Sequence, residues 1–223
     1  MKIKINIKLS DFKVNKIIRG LIVSDMVFLG GWGLIGPIFA VFIIENISGA
    51  TIITVGAVSA LYWIVKSIVQ IPVAIFIDRM EGEKDDFYAL ILGLMLCGFA
   101  AVLFLLAKTI TGLFVVEFIH AAGMGFFVPS WSALFSRHLD KDRCAYNWSL
   151  NSTLYGFTYA GMAFFGGIIA KVFGFEAVFI FVGFLSFLSA FILFSVPHLI
   201  FPKVKNDVPP QFIDQHMPPH TLK

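Results

Sequence analysis

The sequence predicts an all-α integral membrane protein, six transmembrane helices arranged as two inverted three-helix repeats. Six long apolar runs between Ile17 and Phe201 carry the first half of that expectation. The composition agrees, with 58% hydrophobic and 14% charged residues and a mean hydropathy of +0.88. A soluble chain of 223 residues could not hide so much apolar surface from water. The third observation is an internal similarity at an offset of 92 residues, which pairs the first run with the fourth.

The elements follow in order. Residues 1–16 form a basic leader beside the first run, Ile17–Ile44. That run is too long for the apolar part of a cleavable signal and lacks a small-residue cleavage pattern, so it is read as a retained anchor. Gly30, Gly31, Gly33, Gly36 and Pro37 weaken it near its middle, which predicts close packing or a hinge. After the loop Glu45–Thr51 comes Ile52–Ile77, which carries Lys66 at depth. A charged loop, Asp78–Asp86, leads to Phe87–Ala107, and Lys108–Thr109 leads to Ile110–Phe135 with Glu117 and His120 inside. The loop Ser136–Cys144 precedes Tyr146–Phe173, where Asn151, Tyr155 and Thr158 share one helical face. Gly174 turns the chain into the last run, Phe175–Phe201. Each run meets the requirement of about 20 apolar residues for one crossing. Residues 202–223, with four prolines and little hydrophobicity, are expected to form a disordered tail.

Loop charge sets the expected orientation. With the N-terminus cytoplasmic, fourteen Lys and Arg fall on that side and only Lys108 and Lys171 on the other. Cationic bias of this kind marks the cytoplasmic loops, so both termini are expected in the cytoplasm of a multi-pass protein of the cell membrane. The leader is then a topology signal that meets anionic lipid, not a nucleic-acid site. Cys97 and Cys144 form no disulfide framework and are expected to be free thiols.

The 92-residue shift lays Gly31-Trp-Gly33-Leu-Ile-Gly36-Pro37 over Gly123-Met-Gly125-Phe-Phe-Val128-Pro129, and Asp25 over Glu117. A carboxylate, two glycines and a proline therefore match at one offset. Units with an odd number of spans must be inverted relative to each other, and inverted three-plus-three units are a signature of secondary transporters. The repeat adds Gly125 and Pro129 to Gly33, Gly36 and Pro37 as candidate hinge positions.

Charge at membrane depth costs at least about 2.5–3.5 kcal/mol on insertion scales, so it is kept for a cavity, a partner or a function. Asp25, Lys66, Glu117 and His120 are accordingly candidate substrate or proton ligands, with Asn151, Tyr155 and Thr158 as a polar stripe beside them. Trp32, Trp63, Trp131 and Trp148 are read as packing or interface anchors.

The motifs resemble those of the major facilitator superfamily. Gln70-Ile-Pro72-Val-Ala74-Ile-Phe-Ile-Asp78-Arg79 is similar to the end of its second helix and the following loop, whose pattern is Gly-x-x-x-Asp-Arg-x-Gly-Arg-Arg. Ala74 replaces the first glycine, Asp78 and Arg79 match, and Glu81-Gly82-Glu83-Lys84 departs. Glu117-Phe-Ile-His120-Ala-Ala-Gly123 resembles the fourth-helix pattern Arg-x-x-x-Gly-x-Gly, with Glu117 in place of the arginine and Ala121 in place of the first glycine. Residues 156–175 resemble the fifth helix and the turn into the sixth. The likeness covers about residues 17–200 and is closest to the first of two six-helix halves.

That resemblance implies a cavity lined by the first and fourth helices, with the third and sixth facing outward. It implies a gating role for Asp78 and Arg79, the aspartate meeting a helix N-terminus of the other half, where the helix dipole favours a carboxylate. The other half would be a second copy of this chain, making a homodimer, or a separate six-helix half. The expected function is proton-coupled secondary transport of a small solute. The alternative is a non-transporting six-span protein, a regulatory or scaffold partner or a truncated relic. No catalytic motif points to an enzyme, and neither a metal nor a cofactor is expected.

Overall fold

A computed structural model describes residues 14–80, 82–140 and 142–196. Most of the basic leader, Glu81, Lys141, the end of the sixth run and the whole tail lie outside the described residues. The elements are α1 Lys16–Gly33, a short 3-10 turn Gly36–Ile38, α2 Phe39–Asn46, α3 Ile52–Arg79, α4 Lys84–Phe104, α5 Ile110–Arg137 and α6 Cys144–Phe194. No strand forms among the described residues; a single bridge joins Ser48 to Thr109. Five segments are long and apolar enough to cross a membrane, α1 and α2 counting as one.

The first run is not one continuous helix. Pro37 has no N–H to donate, and its ring collides with the carbonyl four residues back, at Gly33. α1 ends at that glycine, and four glycines between Gly30 and Gly36 lower the helical preference around the break. The equivalent place on α5 behaves differently: α5 runs unbroken through Gly125 and Pro129. Its glycines are sparser, and a Cβ on Gly125 would collide with Val69 of α3. Gly125 therefore serves close helix packing, and the helix is not interrupted at this pair.

Helix starts follow local chemistry. The Asn15 side chain accepts from the Ile18 N–H at 2.8 Å, and the Thr109 hydroxyl accepts from the Gly112 N–H at 3.1 Å. α4 begins earlier than its apolar run, because Asp85 and Asp86 occupy its first turn and complement the helix dipole.

α6 is 51 residues long but loses helical geometry at Gly174 (φ 84°, ψ 169°). Positive φ is accessible to glycine without a Cβ clash. Two contacts show that the chain doubles back there. Ser189 and Asn151, on opposite sides of Gly174, reach the adjacent residues Ser24 and Asp25 of α1. In a straight helix these two positions would lie about 57 Å apart at 1.5 Å per residue. α1 packs along α6, α5 along both α3 and α4, and α4 along α6. Two apolar cores fill the bundle, one around Phe28, Phe87 and Phe135 and one around Ile43, Phe104 and Phe179.

Candidate functional site

Glu117 and His120 sit one turn apart on α5, which turns both side chains to one side of the helix. Oε1 of Glu117 lies 3.3 Å from Nδ1 of His120. The carboxylate is buried, and its other oxygen has no hydrogen-bond partner among the described residues. The His120 ring stacks on Trp32 of α1, with centroids 3.8 Å apart and planes 9° apart. Tyr62 of α3 closes on it at 5.2 Å. The imidazole thus holds two aromatic neighbours and one carboxylate, drawn from three helices.

This cluster forms one wall of a cavity of about 470 Å³. α1 supplies Leu29 and Trp32, with Ile35, Gly36 and Phe39 from the break and the start of α2. α3 supplies Ser59, Tyr62 and Trp63. The remaining walls are Glu117, His120 and Met124 of α5, and Tyr155 and Tyr159 of α6. No lining residue comes from α4 or from the described part of α6 after Gly174.

Three of the seven candidate pathway residues, Glu117, His120 and Tyr155, line this cavity. The others sit elsewhere. Asp25 is buried between α1 and α6 and accepts from Nδ2 of Asn151 at 3.2 Å. Thr158 lies against Gly30, where its methyl group fills the place of a glycine Cβ. Lys66 makes no ion pair within 4.0 Å among the described residues; its ammonium lies 4.7 Å over the Trp63 ring and 5.8 Å from that of Tyr62. Gly33 and Gly36 both abut Tyr159, so the break in the first span and the cavity wall share a contact. Asp78 and Arg79 are exposed at the end of α3.

Trp32 packs against both apolar cores and, like Trp63, also lines the cavity; Ser59, Tyr62, Met124 and Tyr159 were not anticipated. A signal existed for part of this set. Ser59, Tyr62, Trp63 and Lys66 recur at i, i+3, i+4 and i+7, one polar and aromatic stripe on α3. Trp131 does pack in the core, stacked on Phe135 at 4.6 Å.

A polar cluster ties the connections at the end of the bundle where α3 meets α4. Arg137 donates to the buried Asp86 carboxylate and to the Gly82 carbonyl at 3.1 Å. Nε2 of His138 lies 3.5 Å from Glu83. Asn15 donates to the His138 carbonyl at 2.8 Å and to Asp140 at 3.0 Å, and Asn147 donates to the same aspartate at 3.3 Å. Arg137, counted in the sequence only as a loop cation, thus joins two loops.

The family model of the Major Facilitator Superfamily matches residues 21–213. The chain belongs to this superfamily. It is 23% identical over 197 residues to an uncharacterized MFS-type transporter of Methanocaldococcus jannaschii, covering 88% of this chain and 50% of that protein. It thus spans about half the length of the curated relative it matches. Among solved structures the fold is similar to that of the POT family transporter PepTSo, with a TM-score of 0.62 and 18% identity. That likeness covers 82% of this chain and 37% of the solved one. With its apolar helices, the superfamily member is an integral membrane protein.

Proposed function

We propose that this chain acts as a six-span half-unit of a proton-coupled secondary transporter that moves a small solute through the cavity. The observation that carries the reading is the buried Glu117–His120 pair on the wall of a 470 Å³ space. Intramembrane carboxylates and histidines mark proton relays, and a non-enzymatic role fits membership of a transporter family.

In this reading α6 crosses twice, turning at Gly174, and the spans form two inverted units of three. Both termini face the cytoplasm. The break at Gly33, Gly36 and Pro37 lets α2 move against α1, and because Gly36 and Phe39 line the cavity, that movement changes access to it. Gly125 and Pro129 stay rigid and keep α5 registered on α3. Asp25 and Asn151 form a second proton-responsive pair outside the cavity, while Lys66 modulates its field from behind Trp63. Tyr155 contacts solute, and Thr158 maintains the α1–α6 spacing. Asp78 and Arg79 gate the complex from the loop, against a helix N-terminus supplied by a second copy or a second half.

Uptake by proteoliposomes across a panel of solutes, with and without an imposed pH gradient, tests this function. Accumulation that depends on the gradient is expected for at least one solute class. Purified, correctly inserted protein that moves none of them would refute it.

A further inference from the structure

If the cavity is the transport site, as proposed above, its walls also bear on the chemistry of the solute. The lining holds one carboxylate and no lysine or arginine. Six of its residues, Trp32, Phe39, Tyr62, Trp63, Tyr155 and Tyr159, are aromatic. The volume lies in the range of about 300–1,000 Å³ usual for small-molecule sites.

Glu117 is 3% exposed, and its Oε2 is buried without a hydrogen-bond partner. A buried carboxylate oxygen is costly unless a donor or a cation meets it. His120 already occupies Oε1, so the second oxygen of this cavity-wall carboxylate is left without a partner among the described residues. The aromatic faces have a matching preference, because a ring face attracts positive charge. The protein itself uses them in that way: the Lys66 ammonium lies over Trp63 at 4.7 Å. An anion placed here would face both the carboxylate and the negative faces of the rings.

We propose that the cavity takes an organic cation with a flat apolar body, its positive centre beside Glu117 and its body against Trp32 and Tyr62. A free anion meets these walls less well, because its charge opposes both the carboxylate and the ring faces. Lys66 is not among the lining residues, but its ammonium lies over the rings of Trp63 and Tyr62, where it weakens the attraction for a second cation.

The test is equilibrium binding to the purified full chain in nanodiscs, read by quenching of tryptophan fluorescence and by calorimetry. The probes are benzyltrimethylammonium, its neutral carbon isostere neopentylbenzene, and the anion benzenesulfonate. Saturable binding of the cation alone is expected. Glu117→Gln should weaken it about ten-fold or more, in line with loss of a desolvated charge contact, and Glu117→Asp should retain part of the affinity. Trp32→Leu should weaken it several-fold, and Lys66→Gln should tighten it. Benzenesulfonate bound as well as the cation, no cation binding, or cation affinity unchanged by Glu117→Gln in monodisperse protein would each overturn the proposal. If Glu117→Gln does not fold, an affinity unchanged in Glu117→Asp and unmoved by Lys66→Gln would do the same. Cation binding without any uptake refutes the transport reading and leaves this one standing; uptake of an uncharged or anionic solute without cation binding does the reverse.

Discussion

Asn151 donates from Nδ2 to Oδ2 of Asp25 across 3.2 Å, joining α6 to α1 over 126 residues of sequence. Both side chains are buried, and Ser24 and Ser189 add a second polar link beside them, Oγ to Oγ at 2.7 Å. A polar pair held away from water is costly to break from one side, because the remaining group is left unsatisfied.

Asn151→Leu is therefore expected to destabilise the protein by about 1–3 kcal/mol. The double variant Asp25→Leu with Asn151→Leu should recover most of that loss, since removing both partners leaves no orphaned group. Thermal unfolding of the two variants in detergent, compared with the parent chain, measures the difference.

Coupling should depend on Glu117. Glu117→Gln is expected to abolish proton-driven accumulation while leaving downhill exchange of solute. Asp25→Asn should have the milder effect, because Asp25 lies outside the cavity and Glu117 on its wall. Initial rates in proteoliposomes, with and without a pH gradient and at matched reconstitution, separate the two. Unchanged accumulation in the Glu117→Gln variant would leave this carboxylate a structural role only.

Gly166 lies where the carbonyl of Leu34 approaches, so an added Cβ would overlap that backbone. Gly166→Ala should cost about 1–3 kcal/mol through forced separation of α6 from the break after α1. Gly156→Ala, where an added Cβ would meet no other part of the described structure within 4 Å, serves as the control and should cost nothing. Equal melting shifts for both would show that α1 and α6 do not approach so closely in the bilayer.

The orientation can be read from labelling. In a chain with Cys144 replaced by Ser and the buried Cys97 retained, a cysteine introduced at Asn46 should react with an impermeant thiol reagent from outside intact cells. One at Asp207 should react only after permeabilisation. Labelling of both from the same side would contradict an even number of crossings.

Association through a second half predicts a contact at the gating loop. Asp78→Cys combined with the native, exposed Cys144 at the start of α6 should crosslink two differently tagged copies. A monodisperse monomer that transports in nanodiscs would rule out the homodimer.

Much of the fold was legible in the sequence because the bilayer makes local composition decisive. A stretch of about 20 apolar residues has few alternatives to a spanning helix, so each described apolar run is helical, although the first is broken and α4 begins before its run. Gly174 was legible for a similar reason, since a turn within so long a run needs a residue that tolerates positive φ. Sequence pattern alone also drew attention to Glu117 and His120, because charge is rare at membrane depth. Pairing is another matter. Whether Asp25 meets Lys66, Glu117 or Asn151 depends on which helix faces pack together, and no local pattern records that. Tertiary packing gave Asp25 to Asn151, set Lys66 on Trp63 and buried one oxygen of Glu117 without a partner among the described residues. It also decided that two matching glycine-proline segments behave differently, one breaking its helix and the other packing against α3. The physical reason is common to all of these: helix formation in a membrane is governed by each segment and its solvent, whereas the site is made by contacts between segments far apart in the chain.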